Sequence, residues 1–407
     1  MDENIVRAFL PYCLPPKISN THQCIAYGTK NLSAAKTAKK DEFYTQMTDI
    51  ERELQHYWQH FRGKVVLCNC DDPYESNFFK YFALRFNQLG LKKLICTCYN
   101  GSPVQGNELM IDFGCFEEEP KKVAYKVEIT EVKDLNGDGA VDLADVQYLL
   151  KNDKNVIGTL KTGDFRDIEC IELLKQADIV VTNPPFSLIR EYIAQLMKYQ
   201  KKFLILARTS MIHAYEIFPY FIENKMWIGY GYNMSLVYKS PYKNVEEANR
   251  KYVRSKGFNP DEYIKVPAIG WFTNLDHNKR HEEFDMICKY NKEDYPKYET
   301  FDAIDVDEVT KIPYDYGGIM GVPDTFIQYY NPEQFELIGA ETGDYAEKLG
   351  IRPIGKEWID NYRKNGGTGH YTANMKSLVI YQKNGKPKKV FSRLLIRNKH
   401  PKRYDDD

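Results

Sequence analysis

The hydrophobic pattern along the chain switches between two periods. Lys64-Val-Val-Leu-Cys68, Lys93 to Cys98, Ile179 to Thr182, Lys202 to Leu206, Met226 to Gly229 and Ala268 to Thr273 are short apolar runs, several of them β-branched. Such runs predict strands buried on both faces. Between them apolar positions recur every three or four residues, which predicts helices. The first helix starts near Thr48, carries Ile50, Leu54, Tyr57, Trp58 and Phe61, and opens on a Thr48/Glu51 capping-box pattern. Ser76 is the expected N-cap of a second, with Phe78, Phe79, Phe82 and Phe86 on one face and Gly90 at its end. Ile168 to Gln176, the stripe Leu188, Ile189, Tyr192, Ile193, Leu196 and Met197, and Tyr215 to Asn224, broken at Pro219, continue the series. Strands alternating with helices predict a doubly wound α/β sheet.

Three stretches depart from that alternation. Residues 101–158 read as an insertion, with Leu109 to Phe113 and Val123 to Ile129 as a hairpin pair. Residues 232–262 are polar and rich in Tyr, Lys and Asn, and read as a loop able to clasp an extruded base. Beyond about 281 the texture changes, with Gly317-Gly318, Gly366-Gly367 and a hairpin from Leu378 to Leu395 around Asn384-Gly385. The expected division is therefore 1–280 and 281–407.

Candidate chemistry centres on Ala177 to Phe186. A buried strand, Ile179 to Thr182, runs into Asn183-Pro184-Pro185-Phe186, and a helix follows. Proline cannot donate to a sheet ladder, so the pair ends the strand and stiffens the turn. Ligands bind at the carboxyl ends of strands in open α/β sheets. Asn183 offers a side-chain carbonyl, while Pro184 and Pro185 offer backbone carbonyls with no N–H of their own. Such acceptors can grip an exocyclic amine while Phe186 stacks on the ring that carries it. A nucleobase amine is a poor nucleophile because its lone pair is delocalised. Acceptors that draw its hydrogens toward a tetrahedral geometry favour the transition state over the ground state. The bland alternative is a Pro-Pro loop behind a core strand.

The turn after the first strand, Asn69-Cys-Asp-Asp-Pro73, holds no glycine. A cofactor anchored by phosphates needs bare backbone N–H groups there. Asp71 and Asp72 instead suit a cofactor with sulfonium and ammonium charges. At the end of the second strand Tyr99-Asn100 replaces the acid that commonly holds ribose hydroxyls.

Composition adds bounds. At 407 residues, 43% hydrophobic and 28% charged, the chain reads as a soluble globular protein. No apolar run reaches membrane-spanning length, Met1-Asp-Glu-Asn is no signal peptide, and nine scattered cysteines fit reduced thiols. A cytoplasmic location is expected. Cys68/Cys70 and Cys96/Cys98 have metal-pair spacing, but buried thiols on strands are the alternative. Net charge is −1, yet Asn361 to Tyr404 holds twelve Lys/Arg and no acid. Lys383, Lys386, Lys388, Lys389, Arg393 and Arg397 decorate the predicted hairpin there and are candidates for tracking the phosphates of a polyanion; a solvated hairpin is the alternative. Asp134, Asn136, Asp138, Ala140, Asp142 and Asp145 stand at the ligand spacing of a calcium loop, with Gly139 at its sixth position. A structural Ca2+ or a well-capped turn both satisfy that pattern. The loop carries a rival reading, a calcium-dependent interaction protein with an inert domain attached.

Asp41-Glu-Phe-Tyr-Thr45, Lys64 to Pro73, Gly163-Asp-Phe-Arg166 and Ala177 to Phe186 together resemble the EcoRI-type adenine-specific DNA methyltransferases. The resemblance covers most of the chain and is strongest from 39 to 231. It implies a Rossmann-like methyltransferase fold with an inserted subdomain, a catalytic region over 1–280 and a target-recognition region over 281–407. It implies methyl transfer from S-adenosylmethionine to adenine N6 in double-stranded DNA, action as a monomer, and a possible cognate restriction endonuclease. By the same resemblance Phe43, Tyr44 and Thr45 contact the methionine end of the cofactor. Asn69, Asp71 and Asp72 form its turn, Asp164 accepts from its adenine amine, and Phe165 packs on that ring. A packed aromatic at 43–45 and a tight turn at 164 remain the alternatives. N4-cytosine and RNA adenine transfer use related tetrapeptides and stay open as substrates.

Overall fold

The computed structural model describes residues 45–70, 72–73, 76–99, 124–134, 141–152, 157–239, 246–341 and 343–402. The first element of the described residues is helix α1 (Met47–Leu54), which tightens into a 3₁₀ turn over Gln55–His60. Strand β1 (Val65–Cys68), helix α2 (Asn77–Leu84) and strand β2 (Lys93–Cys98) follow. Next come β3 (Tyr125–Ile129), α3 (Leu143–Asn152), β4 (Ile157–Thr159), α4 (Ile168–Gln176), β5 (Ile179–Thr182), α5 (Ile189–Lys198) and β6 (Lys202–Arg208). Helix α6 (Phe218–Ile222), β7 (Trp227–Ile228), β8 (Met234–Lys239), α7 (Glu247–Ser255) and β9 (Tyr263–Thr273) complete the first sheet.

Among the described residues that sheet runs β4-β3-β2-β1-β5-β6-β9-β7, with β8 on the other half of β9. β2, β1, β5 and β6 are parallel, in register at Cys68↔Cys96, Leu67↔Val180 and Thr182↔Ile205. The five flanking pairings that involve β3, β4, β7, β8 and β9 are antiparallel. Strand order reverses between β1 and β5, so their carboxyl ends form the switch-point crevice.

The two-residue period of the strands divides the core. Leu67, Ile95, Val180, Phe203 and Ile205 face α4 and α5, meeting Leu173, Leu174, Ile189, Tyr192, Ile193 and Leu196. Their neighbours Val66, Cys68, Leu94, Cys96, Val181 and Leu204 face α1 and α2, meeting Ile50, Leu54, Phe78, Phe79 and Phe82. Each central strand is buried on both faces, as its unbroken apolar sequence dictates. Ser76 caps α2, its Oγ accepting from the N–H groups of Phe78 at 3.2 Å and Phe79 at 3.4 Å. Truncating Phe79, which is fully buried, would cost about 3–5 kcal/mol.

A second sheet has the order β10 (Ile304–Asp305), β11 (Ile319–Pro323), β15 (Arg393–Asn398), β12 (Phe335–Ala340), beside a separate hairpin of β13 (Val379–Tyr381) and β14 (Pro387–Lys389). Helix α6 lies against β12, and the core below α4 and α5 continues without a break through Phe218, Phe221 and Phe272 into Met320, Phe326 and Phe335.

Several expectations change. α1 begins after Gln46 with no side-chain cap, so the Thr48/Glu51 box does not form. Pro219 sits in the first turn of α6 and starts that helix rather than breaking it, because its missing N–H is unneeded there. β3 pairs with β2 and β4, and its expected hairpin partner, 109–113, lies outside the described residues. The described residues of the polar stretch 232–262 are largely regular: β8 pairs with an eleven-residue β9, and α7 packs on that ribbon. The C-terminal hairpin is confined to 379–389, since Arg393 onward joins the second sheet. The described residues contain no helix long and apolar enough to cross a membrane.

Candidate active site

Four segments converge on the carboxyl edge of the first sheet. The turn after β1 brings Asn69 and Asp72, both about 4% exposed. The Asn69 backbone carbonyl accepts from the Thr182 hydroxyl, and its side-chain oxygen accepts from the Tyr192 hydroxyl on α5. The cofactor-turn candidate is thus fastened to the strand and helix that flank Asn183. Asp72 accepts from the Tyr125 hydroxyl at 2.7 Å, and its backbone carbonyl takes the Ser76 N–H at 2.6 Å. Burial and the Asp72 carboxylate push the Tyr125 hydroxyl far above its ordinary pKa, so it remains a donor. The inserted segment therefore supplies a fixed support for the acid beside β1.

The second segment is Asn183-Pro184-Pro185-Phe186 at the end of β5. Asn183 is 5% exposed and Pro184 is buried, while Pro185 and Phe186 are half-buried. The Pro185 carbonyl accepts from Leu188 N–H at 3.0 Å and starts the turn into α5. The Pro184 carbonyl takes no hydrogen bond from the described residues. Phe186 packs at the margin of the cluster that includes Val181 and Ile269.

The third is the loop 160–167. Gly163 has φ +72°, and a Cβ there would lie 2.1 Å from the Cys98 carbonyl oxygen. Only glycine lets this loop press on the end of β2. Beside it, Asp164 is gripped by Arg166, whose Nε and Nη2 donate at 2.9 and 2.6 Å. That guanidinium holds the Asp164 carboxyl below the usual carboxylate range. Phe165 is 4% exposed and meets Tyr192 edge-on, with ring centroids 5.0 Å apart. It belongs to the core beneath the site.

The fourth is the start of the described chain. Thr45 is buried, and its carbonyl accepts from Asn77 Nδ2 at the head of α2, at 2.7 Å. Phe43, Tyr44 and Asp71 lie outside the described residues.

Sequence reasoning missed two hydroxyls, Tyr192 and Tyr125, and one acid, Glu53. The first two read as apolar positions; their signal is a tyrosine where phenylalanine would fill the same space. Glu53 lies inside α1, almost fully buried. Its oxygens accept from Tyr57 Oη at 2.9 Å and from the N–H groups of Tyr230 and Gly231 at 2.8 Å each. Burial pushes its carboxyl up to about 7 against those hydrogen bonds. It ties α1 to the segment between β7 and β8.

The basic candidates separate. Arg393 is about 5% exposed and donates from Nε to Asp305 at 2.9 Å, with the Tyr298 hydroxyl on the same oxygen at 2.6 Å. It is an interior residue that cannot reach a phosphate, which corrects its assignment to DNA. Lys383 pairs with Asp294 at 2.5 Å, Arg397 with Glu336 at 2.7 Å, and Lys389 lies 3.8 Å from Glu341. Lys386 is exposed and Lys388 half-exposed.

Of the calcium pattern, Asn136, Asp138 and Ala140 lie outside the described residues. Asp142 and Asp145 form a reciprocal cap at the head of α3. Asp142 Oδ1 accepts from Ala144 N–H at 2.7 Å, and Asp145 Oδ2 accepts from Asp142 N–H at 2.9 Å. Among the described residues no group of three or more His, Cys, Asp or Glu could hold a metal; Cys68, Cys96 and Cys98 are buried in the sheet and Cys70 is half-buried beside it.

Residues 31–399 match the family model described as adenine-specific methyltransferase EcoRI. The type II methyltransferase M.EcoRI of Escherichia coli is 45% identical over 327 residues, 79% of this chain and 92% of that one. The type II methyltransferase M.MpnI of Mycoplasma pneumoniae is 37% identical over 316 residues, 77% of this chain and 86% of that one. No solved structure matches. With the tetrapeptide at the switch point and a match across most of its length, the chain belongs to the EcoRI family of adenine-specific methyltransferases, enzymes that use S-adenosylmethionine.

Proposed function

We propose that the enzyme methylates N6 of an adenine extruded from double-stranded DNA at a specific site, with residues 1–280 performing the chemistry and 281–407 reading the sequence. The observation that carries this reading is the placement of Asn183 to Phe186 beside the Asn69–Asp72 turn, bound to it through Thr182 and Tyr192. An adenine amine is unreachable inside the stack, so the base must be flipped out. Phe186 stacks on the extruded ring. Asn183 Oδ1 and the Pro184 carbonyl accept the two N6 hydrogens, localising the nitrogen lone pair. The Pro185 carbonyl, engaged by Leu188, stiffens the turn instead.

The residues present fit S-adenosylmethionine. A buried carboxylate at Asp72, fixed by a hydroxyl, complements an ammonium or sulfonium charge, and no glycine loop favours phosphate. Thr45, Asn69 and Asp72 would hold the cofactor, together with Phe43, Tyr44 and Asp71. Asp164 has lone pairs left to accept from an adenine amine while Arg166 fixes its direction, and Phe165 supports that loop from below. When bound, the cofactor supplies an electrophilic methyl on a cationic sulfur. Positioning and charge complementarity do the remaining work. Calcium has no step in this scheme. Lys386 and Lys388 are the cations of the hairpin best placed to track phosphates, with Lys383, Lys389 and Arg397 available only by exchanging their acids. The resemblance also carries action as a monomer, in the cytoplasm, beside a nuclease of matching specificity.

The test is product analysis. Duplex DNA incubated with the protein and methyl-labelled S-adenosylmethionine, then digested to nucleosides, should carry label on adenine N6. Label on cytosine N4, or on RNA alone, sinks the reading.

A further inference from the structure

β6 ends on Arg208 beside the catalytic strand. The β5–β6 register ends at Thr182 paired with Ile205, and β6 runs on three residues past it to Arg208, on the side of the sheet edge where Asn183 to Phe186 turn away from β5. Alternation along β6 gives Arg208 the same face as Leu204 and Leu206. That face holds Val181 and Ile269, and Phe186 packs at its margin. On the other side Arg208 pairs with Ile269 of β9. The side chain is half-buried, yet among the described residues it forms no ion pair and no hydrogen bond. Asp324, in the turn after β11, lies 3.1 Å from His213 Nε2 in the turn that follows β6 and forms no ion pair with Arg208. Burial lowers the Arg208 pKa, but a guanidinium starting that high remains charged. A partly desolvated cation with no counterion is unfavourable until an anion arrives.

We propose that Arg208 is an anion-binding residue of the substrate cleft, taking a backbone phosphate of the DNA strand that bears the extruded base. This rests on the proposed reading of Asn183 to Phe186. The sheet order separates Arg208 from the cofactor turn. The cofactor turn follows β1, whereas Arg208 ends β6 with β5 between them. At about 4.8 Å per strand the cation stands roughly 10 Å from the cofactor turn, on the far side of the tetrapeptide. The phosphate beside the target nucleotide is the anion that reaches that side. A planar guanidinium suits it through paired N–H donors, and a clamp there holds the backbone while the base turns outward.

The experiment compares wild type, Arg208→Gln and Arg208→Lys on a fluorescein-labelled duplex that wild type methylates, with S-adenosylhomocysteine present, across a salt series. Arg208→Gln should bind about tenfold more weakly and lose about one unit of salt slope, whereas Arg208→Lys should keep the slope. Affinity for S-adenosylhomocysteine alone should not change. A second arm replaces single phosphates next to the target adenine by neutral methylphosphonates. One replacement should weaken wild type about tenfold and leave Arg208→Gln no weaker than it already is. An unchanged salt slope in Arg208→Gln, additive losses in the second arm, or a loss confined to S-adenosylhomocysteine overturns the proposal. Should wild type methylate adenine while these outcomes occur, Arg208 alone is misassigned. Should no methyl reach adenine, the reading of the tetrapeptide falls and Arg208 with it.

Discussion

The edge around Asn183 and the basic stretch from Asn361 to Tyr404 were equally conspicuous as strings of residues, and folding treats them oppositely. At the edge, neighbours in sequence remain neighbours in space: strand, tetrapeptide and helix are consecutive, and the fold adds supports from outside. In the basic stretch the fold brings in acids that lie far away along the chain. Asp294, Asp305, Glu336 and Glu341 reach Lys383, Arg393, Arg397 and Lys389 respectively. A local motif keeps its meaning because its chemistry is local. A run of charge is judged only against everything that folds beside it.

The largest expected effect tests the local side of that contrast. Asn183→Ala should lower turnover by about 10²–10³ or more while leaving cofactor affinity intact, measured by single-turnover kinetics and calorimetry. Unchanged turnover would remove the amine-gripping role. Next, Arg393→Ala should destabilise the fold by about 3–5 kcal/mol, because it strands the buried Asp305 carboxylate. A normal urea midpoint with weakened DNA binding would instead return Arg393 to the phosphate surface. Third comes Glu53, whose carboxyl is raised to about 7 from 4.5. A raised folded-state value means that folding favours the protonated acid. Its contribution is full below about pH 4.5 and is lost as pH climbs through 7. At most it is about 3 kcal/mol. Melting curves of wild type and Glu53→Gln between pH 5 and 8 should diverge, wild type losing more stability on the alkaline side; parallel curves would contradict this. Fourth, Tyr125→Phe should weaken S-adenosylhomocysteine binding about tenfold, leaving DNA affinity unchanged, since it removes one hydrogen bond to a buried carboxylate. The smallest effect is expected from Lys386→Ala with Lys388→Ala. Stability should stay within about 0.5 kcal/mol, and the salt slope of DNA binding should fall by about one unit per phosphate lost. A slope that does not move would take the hairpin out of the interface.

The sequence made much of the first sheet legible. The boundaries of β2, α4 and β5 coincide with the runs that predicted them, because a strand buried on both faces must be apolar throughout. Ser76 announced its helix because the cap acts within three residues. What failed was long-range. The stretch 232–262 looked like a loop because its polarity reflects a ribbon with a solvent-facing side, paired only after β9 returns. At the site, Asn183 and Asp72 were readable as types in a turn, while Tyr192 and Tyr125 were not, since only tertiary contact aims their hydroxyls at Asn69 and Asp72. Phe165 was assigned to a ligand face and lies in the core, where an apolar residue beside a functional acid has equal reason to be.

The continuous core under α6 has a practical consequence for engineering new specificities. Exchanging the second sheet between relatives looks attractive wherever recognition and chemistry reside in different stretches. Here Phe218, Phe221 and Phe272 interlock with Phe326 and Phe335 in one packed interior. A chimera cut near 280 would inherit a mismatched seam of aromatic rings. Swaps that carry both sides of that seam, or that change only side chains on the outer rim, should yield soluble hybrids far more often.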